Sequence, residues 1–460
     1  MIFSFKINKS IFIVGILFFF MDFFSSGDTN ASAIYKNGTL TGKMIDCGFY
    51  AGDSNYHALV HASDSNVYYA ICSHEHNTHV HLFCFNPQTE QVTTIADIGE
   101  VLGEDGTLNI PQGKIHCDLF ECDGKLYFGT HVGIYHRGGS DDHGPYPGGH
   151  FMCYDLKSGV FRDYGIGAAE EGIVCLQMDT ERKRLYTLTW PSALFMYYDI
   201  TTGTKKTFGP AVFGHAYINE TEFGGVPRSI GIDPETGNVY WWNIDETVSR
   251  YNFSADSIEI LENHNFGRPI LKVHERGSDD DKVFWRSIRW NQANNLFYGL
   301  TFYGEQLFSY DPTDGIIEVI DRIAPGPNRK SGELSRASLA FELSGDFSTI
   351  YYVNHLRTYT GDTEGRETDE LRLVTYNIQQ RSYTDHGPIV LDDGRKPKDC
   401  QGMEIGRDGN IYLVCTIPYT DMESDKGKAI RALRYKATPT EQLNQVYEVN
   451  LVIVKNPLMR

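Results

Sequence analysis

Apolar and polar positions alternate in short blocks along the chain, and one block recurs at a nearly constant spacing. In each copy an apolar residue precedes a tyrosine, and a short apolar run follows. The seven tyrosines of this block are Tyr68, Tyr127, Tyr186, Tyr240, Tyr298, Tyr351 and Tyr412. They are separated by 59, 59, 54, 58, 53 and 61 residues. Turn-forming pairs such as Asp123–Gly124 precede several copies, as in β-hairpins, so the pattern indicates a repeated β unit.

A second block follows each copy and joins an aromatic residue to Asp or Asn, as in Tyr154–Asp155 and Tyr310–Asp311. The two blocks together predict four short strands per unit. One such unit cannot bury both of its faces, whereas seven stacked around an axis bury a continuous core. The sequence therefore predicts an all-β, seven-bladed β-propeller over residues 34–460. We place the degenerate seventh copy of the second block at residues 433–436, and expect residues 43–47 to close the ring as an outer strand.

The propeller prediction places certain polar side chains around one end of a central channel. Innermost strands begin at that face, and loops between second and third strands emerge there. The residues expected at or near this channel mouth are His116, His131, His150, Trp190, Arg228, Arg286, Tyr303, Arg336 and His355. The three arginines stand at the starts of three successive innermost strands. They bind carboxylate or sulfate groups well, although each could instead pair with an acid of the next unit.

The overall charge restricts the partners of the chain. There are 41 Lys and Arg residues against 60 Asp and Glu residues, and the formal net charge is −19. Nucleic acid is not an expected partner, because phosphate neutralisation needs an excess of basic residues. An anionic substrate remains compatible with this charge, because it needs only a local basic patch.

The N-terminus predicts a secretory signal peptide over residues 1–33. Lys6 and Lys9 precede an apolar run at residues 11–24, and Ala31-Ser32-Ala33 matches the small residues of a cleavage site. The alternative is a membrane anchor, for which the run is short. We therefore expect a secreted monomer, extracellular or periplasmic, without membrane contact after cleavage. The nine cysteines include no Cys-x-x-Cys pair, and the sequence does not select disulfide partners.

Arginine, histidine and tyrosine together suit removal of a proton next to a carboxylate. Arginine offsets the charge of the carboxylate and of the enolate-like intermediate, while histidine or tyrosine transfers protons. On a uronic acid this reaction is β-elimination, and Trp190 and Tyr303 are suited to stack on sugar rings. A glycosidase would need two facing carboxylates. Among the expected strand starts only Glu171 is acidic, so a polysaccharide lyase is the favoured class.

Four motifs carry a resemblance to a known family: residues 110–116, ending in His116; residues 126–131, ending in His131; residues 146–151; and residues 188–192. They resemble the propeller-fold ulvan lyases, polysaccharide lyase families twenty-four and twenty-five. The resemblance implies cleavage of ulvan, a sulfated algal polysaccharide. It implies His116 and His131 as the proton-transfer pair and Arg228 as the neutralising group. Arg286 would contact a further carboxylate or sulfate.

One position departs from the family pattern. Trp190 stands where some members are expected to carry a tyrosine. If that tyrosine is the acid or base of the reaction, its role must pass to His131, Tyr303 or another residue. The resemblance therefore leaves the acid of the reaction unassigned.

The chemistry needs no cofactor, but the resemblance also implies a structural metal ion, zinc or calcium. The candidate ligands are His74, His76, His79, His264 and His274. The alternative is that these histidines face solvent or the channel. Two other functions remain open on sequence grounds: a non-catalytic carbohydrate-binding propeller and a protein-interaction propeller, because fold alone does not determine function.

Overall fold

The computed structural model describes residues 32–134, 144–211, 226–243, 247–266, 273–274, 281–282, 285–327, 329, 336–358 and 366–459. The described part of the chain is nearly all β, with 51% of its residues in strands and 5% in helices. No helix in the described part of the chain is long and apolar enough to cross a membrane. The expected signal peptide, residues 1–33, lies almost entirely outside the described residues.

The first half of the chain forms fifteen of the described strands and one helix. The strands are β1 Ala33–Tyr35, β2 Leu40–Ile45, β3 Leu59–His61, β4 Val67–Ile71, β5 His81–Asn86, β6 Gln91–Asp97, β7 Lys114–Ile115, β8 Phe120–Cys122, β9 Lys125–His131, β10 His150–Asp155, β11 Phe161–Ile166, β12 Gly172–Asp179, β13 Arg184–Trp190, β14 Leu194–Asp199 and β15 Thr204–Pro210. The helix α1, Ile98–Leu102, begins after Asp97, whose side chain accepts hydrogen bonds from two backbone N–H groups of its first turn.

The second half continues the same alternation of short strands and turns. The strands are β16 Gly231–Ile232, β17 Val239–Trp242, β18 Val248–Asn252, β19 Ser257–Leu261, β20 Asn265–Phe266, β21 Val273–His274, β22 Asp281–Lys282, β23 Trp285–Asn291, β24 Leu296–Thr301, β25 Gln306–Tyr310, β26 Ile316–Arg322, β27 Phe341–Leu343, β28 Thr349–Thr358, β29 Arg366–Asn377, β30 Ser382–Leu391, β31 Asp399–Ile405, β32 Asn410–Tyr419 and β33 Val446–Lys455. The helix α2, Asp425–Arg434, and a short 3-10 helix, Thr440–Gln442, lie between β32 and β33.

Most of these strands form small antiparallel sheets of consecutive strands. Three sheets have four strands: β3 to β6, β12 to β15 and β16 to β19. Two have five strands: β7 to β11, and β23 to β26 with β20 added. The longest sheet has the order β27-β28-β29-β30-β2-β33-β32-β31, with β1 on β30. In this sheet β2 pairs antiparallel with β33 and parallel with β30. This strand from near the N-terminus therefore joins the group β27 to β30 to the group β31 to β33.

The repeated tyrosine lies on the second strand of six consecutive groups and on β9 in the group β7 to β11, and in three copies its hydroxyl bonds to the preceding turn. Tyr68 Oη donates to Asp64 Oδ2 at 2.8 Å, and Tyr412 Oη donates to Asp408 Oδ2 at 2.6 Å. In the copy at Tyr298, an amide replaces the carboxylate: Asn294 Nδ2 donates to the phenol oxygen at 2.9 Å. In these three copies one side chain both fills the space between sheets and holds a hairpin together.

The first strands of successive sheets contact one another. β12 contacts β16, β16 contacts β23, and β23 contacts β27. The series continues from β27 to β31 and from β31 to β3, which lies near the start of the chain. The remaining steps run from β4 to β7 and from β9 to β12. Each sheet thus packs on its neighbours along the chain, and the last packs on the first.

One sequence prediction is wrong. Residues 433–436 were expected to form the third strand of the last unit, but helix α2 occupies Asp425–Arg434 and the third strand is β33. Ser424 Oγ accepts the backbone N–H of Gly427 at 3.0 Å, and Arg431 and Arg434 occupy the last helical turn. These capping and end-charge preferences favour a helix there. The expected outer strand near residues 43–47 is present as β2.

Candidate active site

His116 follows directly after β7 and lies buried at the centre of a group of rings. Its Nδ1 lies 2.7 Å from the carbonyl oxygen of Val174 on β12. Because a carbonyl only accepts hydrogen bonds, Nδ1 carries the proton and Nε2 is the basic nitrogen of the neutral ring. The Tyr56 ring stacks on the imidazole, with centroids 4.4 Å apart and an angle of 19°. The imidazole is therefore fixed in both orientation and tautomer.

His131, the last residue of β9, meets His116 edge to face with ring centroids 5.4 Å apart. Its other neighbour is Trp190, at 6.2 Å. A Cβ atom on Gly172 would lie 2.2 Å from Nδ1 of His131, so only glycine fits beside this ring. Glu171 secures the hairpin that carries Trp190, since its carboxylate accepts from Thr189 Oγ1 at 2.8 Å and from the backbone N–H of Ser192 at 3.0 Å.

Both histidines are neutral at physiological pH. Burial is the main cause that lowers the pKa of His116 well below its ordinary value, followed by the charge of Arg228. Burial also lowers the pKa of His131 far below its ordinary value, followed by the charges of Lys114 and Arg228. A neutral imidazole with a bare ring nitrogen accepts protons, so either ring has the charge state of a general base.

Three cations surround this pair of histidines. Lys114 and Arg228 are buried, and the Lys114 Nζ lies 5.5 Å from the centroid of the Tyr56 ring. The third is Arg286, whose Nε donates to the Ala337 carbonyl at 3.2 Å. Burial and the charge of Arg228 lower the pKa of Arg286 to about 10. These two causes outweigh the charge of Asp399, which acts in the opposite direction.

Arg286 also lines an open cavity of about 410 Å³. The cavity is lined by Arg286, Phe302, Arg336, Ala337, Ser338, Asn354, His355, Lys398, Asp399, Gln401, Thr416 and Tyr447. Among the described residues that line it, the one acid is Asp399, which lies 3.5 Å from His355 Nε2 and accepts from Gln401 Nε2 at 2.9 Å. Three basic side chains against one carboxylate make the cavity suited to an anionic ligand, although the chain as a whole is acidic.

The structure divides the predicted site residues into two groups and leaves one residue apart. His116, His131, Trp190 and Arg228 form the first group, and Arg286, Arg336 and His355 line the cavity. Tyr303 is buried next to this second group, because its backbone pairs with that of Arg336. His150, by contrast, forms an ion pair with Asp163 at 2.9 Å on β10 and β11 and does not line the cavity. Residues 135–143 of the long loop before it lie outside the described residues.

The candidate metal ligands do not converge. His74 contacts Asp53, His79 contacts Asp97 and Glu104, and His264 Nδ1 lies 2.7 Å from the Tyr310 hydroxyl. His76 is exposed, and the side chain of His274 lies outside the described part of the chain. Within the residues that the structure describes, no three His, Cys, Asp or Glu side chains are placed to hold a metal ion.

Sequence reasoning did not include Tyr56, Lys114, Lys398 or Asp399 among the site residues. Tyr56 stands at the first expected innermost-strand start, and Lys114 lies within the first family-like motif, so position alone could have indicated both. Lys398 and Asp399 immediately precede the last expected innermost-strand start, at Cys400–Gln401, where their charge was an available signal. Their roles depend on neighbours that are distant in the chain.

No family model matches this chain, and no curated protein matches its sequence. Among solved structures it is similar to a chain in the crystal structure of the mitotic checkpoint complex, with 11% identity, a TM-score of 0.45, and coverage of 90% of this chain and 95% of that chain. It is also similar to a provisionally named 6-phosphogluconolactonase from Bacteroides uniformis, with 12% identity, a TM-score of 0.43, and coverage of 74% and 88%. Likenesses this weak carry no functional argument.

Proposed function

We propose that the chain is a seven-bladed β-propeller that acts as a secreted polysaccharide lyase. The support for the blade number is the series of contacts between first strands. The longest sheet separates into the groups β27 to β30 and β31 to β33 with β2. With the five other groups of four or more strands, this division would make seven units, each with its first strand toward the axis. The central channel would then open beside Arg286.

The proposed reaction is β-elimination on a uronic acid polysaccharide, with ulvan as the first substrate to test. The observation that carries the proposal is the state of His116: a neutral imidazole whose Nδ1 proton is donated to the Val174 carbonyl and whose Nε2 carries no proton. That nitrogen would take the proton next to the uronate carboxylate. The electrons of the broken C–H bond form the double bond as the glycosidic C–O bond breaks.

Charge neutralisation is assigned to Arg228 and Arg286. Both guanidinium groups act on the same site, since Arg228 lowers the pKa of both His116 and Arg286. A uronate carboxylate placed between them would relieve this mutual repulsion. It would also be held while negative charge develops on the enolate-like intermediate. His131 is a second neutral imidazole next to His116 and could serve as an alternative base.

The open cavity would bind the rest of the polymer. Arg336, His355 and Lys398 line it and suit sulfate or carboxylate groups, and Phe302 and Tyr447 offer aromatic surfaces. Trp190 is buried against His131, so its contribution would be to position that ring. His150 and Tyr303 have no support from the described contacts as substrate ligands.

The first experiment is to incubate the purified protein with ulvan and with other uronic acid polymers and to follow the ultraviolet absorbance of unsaturated uronate. Absorbance is expected to rise on at least one polymer. His116→Ala is expected to lower kcat by at least about 100-fold, the low end of what one proton-transfer group contributes. No rise on any polymer by the folded protein would refute the lyase and favour a carbohydrate-binding or protein-interaction propeller. A fully active His116→Ala would transfer the role of base to another residue.

A further inference from the structure

Three side chains near the start of the chain form a hydrogen-bonded series that the proposed reaction has not used. Asp53 Oδ1 lies 2.8 Å from His74 Nδ1, and Asp53 Oδ2 accepts the backbone N–H of His74 at 3.0 Å. His74 Nε2 lies 3.3 Å from the Tyr56 hydroxyl. The carboxylate thus orients the imidazole, and the imidazole orients the phenol. This is the arrangement by which proteins prepare a hydroxyl for proton transfer.

The backbone holds the two ends of this series together. Asp53 and His74 flank an isolated β-bridge between Ser54 and Cys72. Within it the Asp53 N–H donates to the Cys72 carbonyl at 2.9 Å, and the Cys72 N–H donates to the Ser54 carbonyl at 2.8 Å. The relative position of carboxylate and imidazole therefore does not depend on flexible side chains alone.

The series connects the buried site to solvent. At its inner end the Tyr56 ring lies on His116, with centroids 4.4 Å apart, and Lys114 Nζ is 5.5 Å from the Tyr56 centroid. At its outer end the His74 side chain is 37% exposed. Protons can therefore enter at His74 and reach a phenol placed beside the proposed base.

We propose that Tyr56 is the acid of the reaction, which protonates the leaving glycosidic oxygen, and that His74 and Asp53 are positioning residues that return its proton. This assignment rests on the proposed lyase function. It supplies the acid that the sequence left open, because Trp190 occupies the position where a tyrosine was expected. The support is the geometry of the Asp53–His74–Tyr56 series and its contact with His116.

The step balances in protons and electrons. His116 Nε2 takes the carbon-bound proton, the C–H electrons form the C=C bond, and the C–O electrons go to the leaving oxygen. That oxygen takes the Tyr56 hydroxyl proton. The resulting phenolate takes the Nε2 proton of the His74 imidazolium, whose charge Asp53 balances, and His74 regains a proton from water. His116 then releases its extra proton to solvent, so no oxidant, reductant or metal is needed.

Several charged and titratable groups act on the series from the surrounding elements. Those around Tyr56 and His74 are Lys114, His116, His131 and Arg286, and those around Asp53 are Cys72, Arg434 and Tyr435. Burial alone would raise the pKa of Asp53, but the hydrogen bond and charge of His74 lower it, so this carboxylate is ionised.

The test compares Tyr56→Phe, His74→Gln and Asp53→Asn with the wild-type protein on ulvan, or on whichever uronate polymer the wild type cleaves. Tyr56→Phe is expected to lower kcat by at least about 100-fold while leaving polymer affinity nearly unchanged. Tyr68→Phe is the matched control, because it also removes a hydrogen-bonded tyrosine hydroxyl, in this case one that donates to Asp64 at the hairpin turn before β4. This control is expected to retain wild-type kcat.

Asp53→Asn provides a second readout that loss of structure alone would not produce. Removal of the carboxylate destabilises the His74 imidazolium, so the alkaline limb of the kcat/KM profile should move to lower pH by about one unit or more. His74→Gln should lower kcat and abolish that limb.

The outcomes separate the two proposals. A wild-type protein without lyase activity on any polymer overturns the proposed function and this assignment with it. An active wild type with a fully active Tyr56→Phe overturns only the role of Tyr56. If Tyr56→Phe does not fold, as judged by circular dichroism, Asp53→Asn decides the matter. If the alkaline limb of the kcat/KM profile of Asp53→Asn lies at the same pH as in the wild type, the assignment is overturned. A limb at lower pH supports it.

Discussion

Two arginines three residues apart on β23 are held in opposite ways. Arg286 faces the cavity, and its hydrogen-bond partners among the described residues are the Ala337 carbonyl and, at 3.5 Å, Gln401 Oε1. Arg289 lies within a carboxylate cluster, which we define as Asp118, Glu342 and Glu404. Its Nη2 lies 2.6 Å from Glu342 Oε1 and 3.2 Å from Asp118 Oδ1.

The electrostatic consequences of the two settings are opposite. Burial and the charge of Arg228 lower the pKa of Arg286 to about 10. Burial alone would also lower the pKa of Arg289, but the charges of Asp118 and Glu342 raise it above its ordinary value. A buried charge is costly unless it is paired. Arg289 therefore has the environment of a structural residue, whereas the environment of Arg286 is suited to binding an anionic ligand.

The comparison answers a question that sequence could only raise. Each arginine expected near the channel could have paired with an acid of the next unit. Arg289, which was not among the expected arginines, forms such a pair with Glu342, 53 residues further along the chain. Arg286 and the exposed Arg336 form no ion pair among the described residues. The following substitutions test this difference between Arg286 and Arg289.

The largest effect is expected from Arg289→Met. The change leaves the partly buried Glu342 and Asp118 without their shared cation, which costs up to about 3–5 kcal/mol in the free energy of unfolding, the range for buried pairs. Urea unfolding followed by tryptophan fluorescence measures it. A loss below about 1 kcal/mol would show that the carboxylate cluster does not depend on Arg289.

Arg286→Met should show the reverse pattern. Stability should be unchanged or slightly higher, because a buried cation without a carboxylate is replaced by an apolar chain that can still pack on Phe302. Affinity for a uronate polymer should fall by about 1.5–3 kcal/mol, or about 10- to 100-fold. Isothermal titration calorimetry measures the affinity. Wild-type affinity would mean that Arg286 does not contact the ligand.

The carboxylate cluster should also make stability depend on pH. Burial and the neighbouring Glu342 raise the pKa of Glu404 to about 8. Because the folded-state pKa exceeds the unfolded one, the protonated form favours folding. This contribution is complete below about pH 4, the unfolded value, and is lost as pH rises through about 8.

Glu404→Gln keeps the shape of the side chain and removes the titration. At pH above 8 it should raise the free energy of unfolding by at least about 1.4 kcal/mol, the equivalent of one pKa unit. The same substitution should have little effect below pH 4. Urea unfolding across this pH range measures both values, and equal effects at the two extremes would contradict the assignment of the pH dependence to Glu404.

The smallest effect is expected from Arg336→Ala. This side chain is exposed at the cavity, where water and salt screen its charge. Polymer affinity should fall by about 0.2–1 kcal/mol, and the loss should shrink as salt is added. A loss as large as that of Arg286→Met would place Arg336, and not Arg286, at the main anionic group.

Much of the fold could be predicted from local pattern. The tyrosine repeat marked the second strands, and the expected outer strand at the N-terminus is present as β2. The error at residues 433–436 arose because a helix cap at Ser424 outweighed a weak strand motif.

For the site, Arg228, Arg286, His116 and His131 were expected at one channel mouth. The structure brings His116 and His131 into ring contact and places the charge of Arg228 on both.

By itself, the sequence determined the repeated strands, their turns and the approximate position of the basic side chains, because alternation and turn chemistry act over a few neighbouring residues. Only the tertiary structure decided which cations are neutralised and which proton-transfer groups are oriented. The tautomer of His116 depends on Val174, 58 residues away, and the orientation of Tyr56 depends on His74, 18 residues away. Such partners meet only when the sheets pack, because hydrogen bonds and ion pairs act over a few ångströms of space and not along the chain.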